Sequence, residues 1–185
     1  FPITIRFANF VDAWIMGEYA QIFLNSSKLV IGTLILNLTV SGLAGFSLAK
    51  LYPRGSNAFL VYLLVGVSIP AQMFILPLFL MWKEFGLMNT HLGLIIIYAG
   101  LNAPFATFLI RSYMIQLPDE LFDAAKIDGA NTLQLFYRIA LPISWPVFLT
   151  TGLVVGLAVW NEFLFALTFV HDDSKKPIAT ILFAF

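Results

Sequence analysis

Three stretches of this chain, residues 58–82, 92–112 and 143–170, carry at most one charged side chain each, and none lies between Lys28 and Lys50. A helix needs about 20 apolar residues to cross a bilayer, and a central charge costs about 2.5–3.5 kcal/mol there. With no water to satisfy backbone N–H and C=O groups, such stretches cross as helices. Only 11% of residues are charged against 60% hydrophobic, where soluble domains average about 25% charged. The expected fold class is therefore all-α, a polytopic transmembrane helix bundle. Formal net charge is zero, which gives no electrostatic case for nucleic acid. The absence of cysteine removes disulfides, zinc-thiolate sites and cysteine nucleophiles.

The spans have individual features. Residues 1–27 read as an interfacial segment ending in Asn25-Ser26-Ser27 as a helix cap, with Trp14 and Tyr19 either at the membrane–water boundary or packed against neighbouring helices. Span one, 28–50, places Asn37, Ser41, Gly45 and Ala49 on one face, small enough for a close helix neighbour. Span two, 58–82, contains Pro70 and Pro77 and is expected to kink or break. Ser68 and Gln72 fall four apart, either lining a pathway or satisfying carbonyls beside the proline. Residues 83–93 read as a loop carrying a surface histidine, His91, without metal-ligand spacing. In span three, 92–112, Asn102 must face protein or water. Span four, 143–170, exceeds a perpendicular crossing, so a tilt or break is expected, and Gly152 and Gly156 allow close approach. Glu162, following Trp160 and Asn161, is either a boundary carboxylate bonded to a neighbour or a pathway residue. The final residues, PIATILFAF, are too few to cross.

Between spans three and four lies the longest polar interval, LPDELFDAAKIDGANTLQLFYRIALP, residues 117–142. Asp119 and Glu120 after Pro118 suit a helix start, and Gly129 allows one helix to end and another to begin at an angle. A helix pair with a corner is expected. By itself that shape also fits a helix-turn-helix or a surface hairpin.

The spacing of Asp123-Ala124-Ala125, Gly129, Ile139 and Leu141-Pro142 resembles the "EAA" loop of membrane subunits of ABC-type importers. The flanking PDELFDAAKIDGA and RIALPI, with WNEFLFALTF downstream, resemble the carbohydrate-uptake branch, the maltose-type sugar permeases. Asp123 departs from the usual Glu by one methylene, which changes the salt-bridge geometry available there. The resemblance implies a type I importer permease over residues 1–185, with 117–142 as a cytoplasmic coupling loop and one span lacking at each end. It implies a prokaryotic plasma (inner) membrane and three partners: a separate ATP-binding subunit, a second homologous permease subunit and an extracytoplasmic solute-binding protein. ATP and Mg²⁺ belong to the partner, since no GxxxxGK[ST] loop is present here. No cofactor or metal is expected on this chain, and its role is transport without catalysis. A sugar or oligosaccharide is the expected solute, with Ser68, Gln72, Asn102, Asn161 and Glu162 as pathway candidates. Bulk at Ala125 or Gly129 is expected to uncouple transport.

Other classes leave different signatures. A channel or secondary transporter needs no helix pair and would show a charged or broken-helix ion site in repeated halves. A membrane enzyme would need a nucleophile and base in the spans, where Glu162 is alone. With the polar loop inside, Lys and Arg divide five against five across the membrane, so charge gives no orientation.

Overall fold

The computed structural model describes residues 19–183, and every regular element among them is helical. Helix α1 (Tyr19–Phe46) finishes in a π-turn, Ser47–Leu51. Helix α2 (Ser56–Ser68) leads through a 3₁₀ turn, Ala71–Phe74, into α3 (Ile75–Glu84). Next come α4 (His91–Met114) and α5 (Asp119–Ile127). Then α6 (Thr132–Leu135), a π-turn (Phe136–Ala140) and α7 (Leu141–Ile143) join into one helix, Thr132–Ile143. Helices α8 (Trp145–Trp160) and α9 (Leu164–Phe169) follow, and two 3₁₀ turns, Asp173–Lys175 and Ile178–Phe183, end the described chain.

The central contact is between α1 and α4, on the small-residue face expected from sequence. Asn37 Nδ2 donates to Ala99 O at 2.9 Å and Ser41 Oγ to Ala103 O at 3.3 Å, with both side chains buried in the seam. Both partners advance by four, so the helices run parallel. Parallel neighbours require the intervening α2–α3 leg to return the chain across the whole bundle. That leg is bent by 94° at its break. Pro70 sits at the break, while Pro77 falls in the first turn of α3, where no intrahelical N–H is lost.

Gly45 completes the seam. A Cβ there would lie 3.1 Å from Ile110 Cγ2, 3.2 Å from Arg111 N and 3.3 Å from Thr107 O. Two of those are backbone atoms of α4, which cannot retreat. Gly45→Leu is expected to cost about 2–3 kcal/mol as an overpacking change, lowering the detergent melting temperature, whereas Gly100→Ala, with open space at its Cβ, does not lower it.

Two hydrophobic clusters occupy opposite ends of this seam. One gathers Leu29, Trp82, Leu94, Tyr98, Val155, Val159, Phe165 and Phe169. The other gathers Phe46, Ala49, Ile110, Met114, Phe122, Leu135, Phe136 and Phe148. The second is where the polar helix pair is mounted.

Several boundaries differ from the sequence expectation. Span one begins nine residues earlier, at Tyr19, so Lys28 does not mark its start and Asn25-Ser26-Ser27 do not cap it. Helix formation continues through them because Asn25 and Ser26 find partners across the bundle, at residues 174–178. The expected interfacial segment lies, up to residue 18 and including Trp14, outside the described residues. The expected loop 83–93 shrinks to a turn. His91 is the first residue of α4, half-buried, with Nε2 3.0 Å from Lys175 O, and is no free surface histidine. Span four is broken, as its length implied. Helix α8 ends at Trp160, α9 restarts at Leu164, and Ile143 belongs to the preceding helix, which turns by 78° into α8. Among the described residues two helices, Tyr19–Leu51 and His91–Met114, are long and apolar enough to cross a membrane, and up to four spans result when each bent pair counts as one.

Candidate functional site

The corner between α5 and α6 is built from local signals. Pro118 precedes the first turn, whose Asp119 and Glu120 complement the positive helix end. Helix α5 ends in a Schellman motif: Ala130 N donates to Ala125 O at 2.9 Å and Gly129 N to Lys126 O at 3.0 Å, with Gly129 at φ 84°. Helix α6 then starts with a capping box. Asn131 Oδ1 accepts from Gln134 N at 3.0 Å, and Asn131 N donates to Gln134 Oε1 at 2.8 Å. Two caps on either side of one left-handed residue set the angle.

Helix α5 is amphipathic across its thickness. Phe122 is buried against Phe46, with ring centroids 6.1 Å apart. On the far side Leu121 is exposed and Ile127 is 87% exposed. Ile127 is the most exposed large apolar side chain among the described residues. Asp123, Ala124, Gly129 and Pro142 are exposed and Ala125, Ile139 and Leu141 half-buried. Asp123 pairs with Lys126 at 2.9 Å, an exposed i,i+3 contact of little energetic weight.

The pathway candidates lie on α2, the 3₁₀ turn after it, α4 and the break between α8 and α9. Ser68 ends α2 and its Oγ returns to Leu64 O at 2.9 Å; Gln72 lies beyond the helix break, so no continuous helix face joins them. Asn102 is half-buried and back-bonded to Tyr98 O at 2.8 Å. Asn161 is exposed, with Nδ2 2.8 Å from Leu157 O. A cleft of about 370 Å³ opens at the α2–α3 elbow, lined by Gly66, Phe74, Trp82, Gly100 and Pro104. None of the five candidates lines it.

Glu162 has a defined task. Its carboxylate accepts from Phe165 N at 3.0 Å, from Ala166 N at 3.2 Å and from the Tyr98 hydroxyl at 2.8 Å. Phe163, at the N-cap of α9, offers no side-chain oxygen. Glu162 supplies it from one residue earlier and ties the restart of the broken span to α4.

Three features escaped sequence reasoning. Lys50 reaches the start of α5, a contact with no local sequence signature. Tyr98 is the partner of Glu162. At the opposite end of the bundle, residues 169–178 are clasped by distant polar groups. Asn25 Nδ2 donates to Ser174 O at 2.8 Å and Lys176 O at 3.2 Å, and Ser26 Oγ accepts from Ile178 N at 2.8 Å. Asn89, at φ 58°, accepts from His171 N at 3.1 Å and Asp172 N at 3.0 Å. Within this loop the Ser174 hydroxyl, the Lys175 ammonium and the Ser174 amide hold the Asp172 carboxyl below its usual range. Among the described residues no group of three metal-ligating side chains assembles.

Residues 41–182 match the family described as binding-protein-dependent transport system inner membrane component, a segment that holds the helix pair and the Glu162 restart. The chain belongs to that family. It is 32% identical to the diacetylchitobiose uptake system permease protein NgcG of Streptomyces coelicolor, over 94% of this chain and 58% of that protein. It is 34% identical to the arabinooligosaccharides transport system permease protein AraQ of Halalkalibacterium halodurans, over 98% of this chain and 66% of that one. The chain thus spans about three-fifths of the length of these permeases. Its fold matches a chain from the crystal structure of a bacterial ABC transporter importing the acidic polysaccharide alginate, with a TM-score of 0.79, 23% identity and coverage of 88% of this chain and 56% of the other. This permease-family chain is therefore an all-α membrane protein with an importer-permease helix bundle.

Proposed function

We propose that this chain forms part of the translocation pathway of an ATP-driven importer, and that the helix pair 119–143 is where a separate ATP-binding subunit docks. The observation that carries this is the two-sided construction of α5: Phe122 is locked into the bundle while Ile127, on the opposite side, is 87% exposed. A helix so mounted can receive a push and pass it to the seam. The neighbouring acidic side chains and small Ala124 leave room for a groove to close over it. Gly129, Ile139, Leu141 and Pro142 shape the corner and its exit toward α8.

A sugar or oligosaccharide is the solute class that the two named permease relatives and the alginate importer support. A second homologous permease subunit, a solute-binding protein outside and a prokaryotic inner membrane complete the assembly, with ATP and Mg²⁺ on the ATP-binding subunit. Within it Ser68, Gln72, Asn102 and Asn161 are pathway positions only in so far as neighbouring subunits complete a surface around them. Glu162 positions α9.

Deleting 119–138 would remove Phe122, Leu135 and Phe136 from the core, so the decisive variant is an exposed one. Burying an isoleucine stabilises by about 1.5–3 kcal/mol. Ile127→Asp in the full-length permease is expected to weaken co-purification with the ATP-binding subunit by at least tenfold while leaving the melting temperature unaltered. Undiminished co-purification would sink the docking assignment. Uptake by the permease alone, without an ATPase, would instead favour a channel or secondary transporter.

A further inference from the structure

The end of α1 has an unusual construction. In a regular helix Leu48 O would accept from Tyr52 N, four residues on. Here Tyr52 N bonds to Ser47 O at 3.2 Å, five residues back, and Tyr52 takes a left-handed conformation, φ 45° and ψ 55°. Leu48 O is thereby released, and Arg111 Nε of α4 donates to it at 3.4 Å. Single π-turns of this kind often mark functional positions. A non-glycine residue in the left-handed region is uncommon and persists only where surroundings hold it.

The π-turn also carries Lys50, whose side chain is only 4% exposed. Its ammonium donates to Leu117 O at 2.6 Å, bonds Asp119 Oδ1 at 2.6 Å and lies 5.2 Å from the centre of the Phe122 ring. Leu117 precedes a proline, and its carbonyl sits in the joint between α4 and α5. Asp119 is the first residue of α5, and Phe122 its buried anchor. One cation therefore grips the joint, the first turn and the anchor. Burying an ammonium costs several kcal/mol unless it is paired and bonded. Lys50 is bonded on three sides, so moving α5 away from α1 would expose all of those contacts together.

We propose that Lys50 is a clamp that makes α1 and α5 one rigid body, so that a displacement of the helix pair is delivered directly to the α1–α4 seam. This rests on the docking reading above and deepens it by naming the positioning residue that transmits the movement. Asp119 is the matching half. Its side chain is 71% exposed, so its own contribution to stability is small, while its geometric role is to keep Lys50 aimed along α5.

The test uses the full importer containing the full-length permease. Residues 1–185 contain no cysteine; with any cysteines elsewhere in the importer replaced, nitroxides at Val40→Cys on α1 and Glu120→Cys on α5 report one distance. In the wild-type background that distance is expected to be narrow and the same in the nucleotide-free and ATP–vanadate-trapped states. Lys50→Met, which keeps chain length and removes the charge, is expected to broaden or shift it by roughly 5 Å in the trapped state, the scale of one helical turn. Vanadate trapping itself should continue. Lys50→Arg should restore the narrow distance, since a guanidinium can bond both Leu117 O and Asp119. Asp119→Asn, on the exposed side of the pair, keeps an amide oxygen to accept from Lys50 while removing the opposite charge, and should broaden the distance less. Wild-type distances in both Lys50→Met and Asp119→Asn would overturn the clamp. An Ile127→Cys that never cross-links to the ATP-binding subunit would overturn the docking reading instead, so the two failures are separable.

Discussion

Gly129→Val is expected to reduce ATP-driven uptake by more than tenfold while the full-length permease still inserts into the membrane. Gly129 stands at φ 84°, where an L-residue pays about 1–2 kcal/mol and a β-branched one more. Valine would escape by rotating back toward helical angles, breaking the bonds from Ala130 N to Ala125 O and from Gly129 N to Lys126 O. The corner would then open and α5 would present Ile127 in a different direction. Beyond its chain neighbours no atom lies within 4 Å of an added Cβ, so nothing clashes and the bundle itself should stay folded. Asparagine visits the left-handed region readily, so Gly129→Asn should keep most of the uptake. Uptake with membrane fractionation as the insertion control distinguishes the cases. Full uptake by the valine variant would show that the corner does not matter to coupling.

Glu162→Ala is expected to be among the most destabilising single changes in the described chain that create no steric clash. It leaves Phe165 N, Ala166 N and the Tyr98 hydroxyl without their acceptor, and an unsatisfied buried group costs about 1–3 kcal/mol. Tyr98 is 2% exposed, so water cannot substitute there. A total loss of about 3 kcal/mol is expected, with shared relaxation limiting additivity. Glu162→Gln keeps one acceptor oxygen and should lose roughly half as much. Melting of the full-length permease in detergent checks the order: wild type, then Gln, then Ala. If Ala melts with the wild type, the restart of α9 is held by apolar packing alone.

Helix class, the broken second span and the corner of the polar loop were legible in advance because each depends on a few adjacent residues. Pro70 removes a donor from its own helix. Gly129 acts within four residues of itself. The small face at Asn37, Ser41, Gly45 and Ala49 was likewise readable, since helical periodicity places those residues together whatever the neighbour is. The start of α1 was misread because Asn25 and Ser26 are good caps in isolation. Their partners at residues 174–178 lie about 150 positions away in the chain.

The same division applies to the candidate site. By itself, the sequence determined that this is a membrane helix bundle with a two-helix corner between its third and fourth spans, and its motif spacing pointed to the importer permeases. Only the tertiary structure decided that Lys50 holds that corner, that Tyr98 and Glu162 tie the broken last span together, and that Asn25 and Asn89 clasp the opposite end. Those contacts join residues whose approach depends on helix directions, on the 94° elbow and on the π-turn after Phe46. Local propensity carries no information about which faces such bends bring together, and that is the physical reason the partners had to be seen.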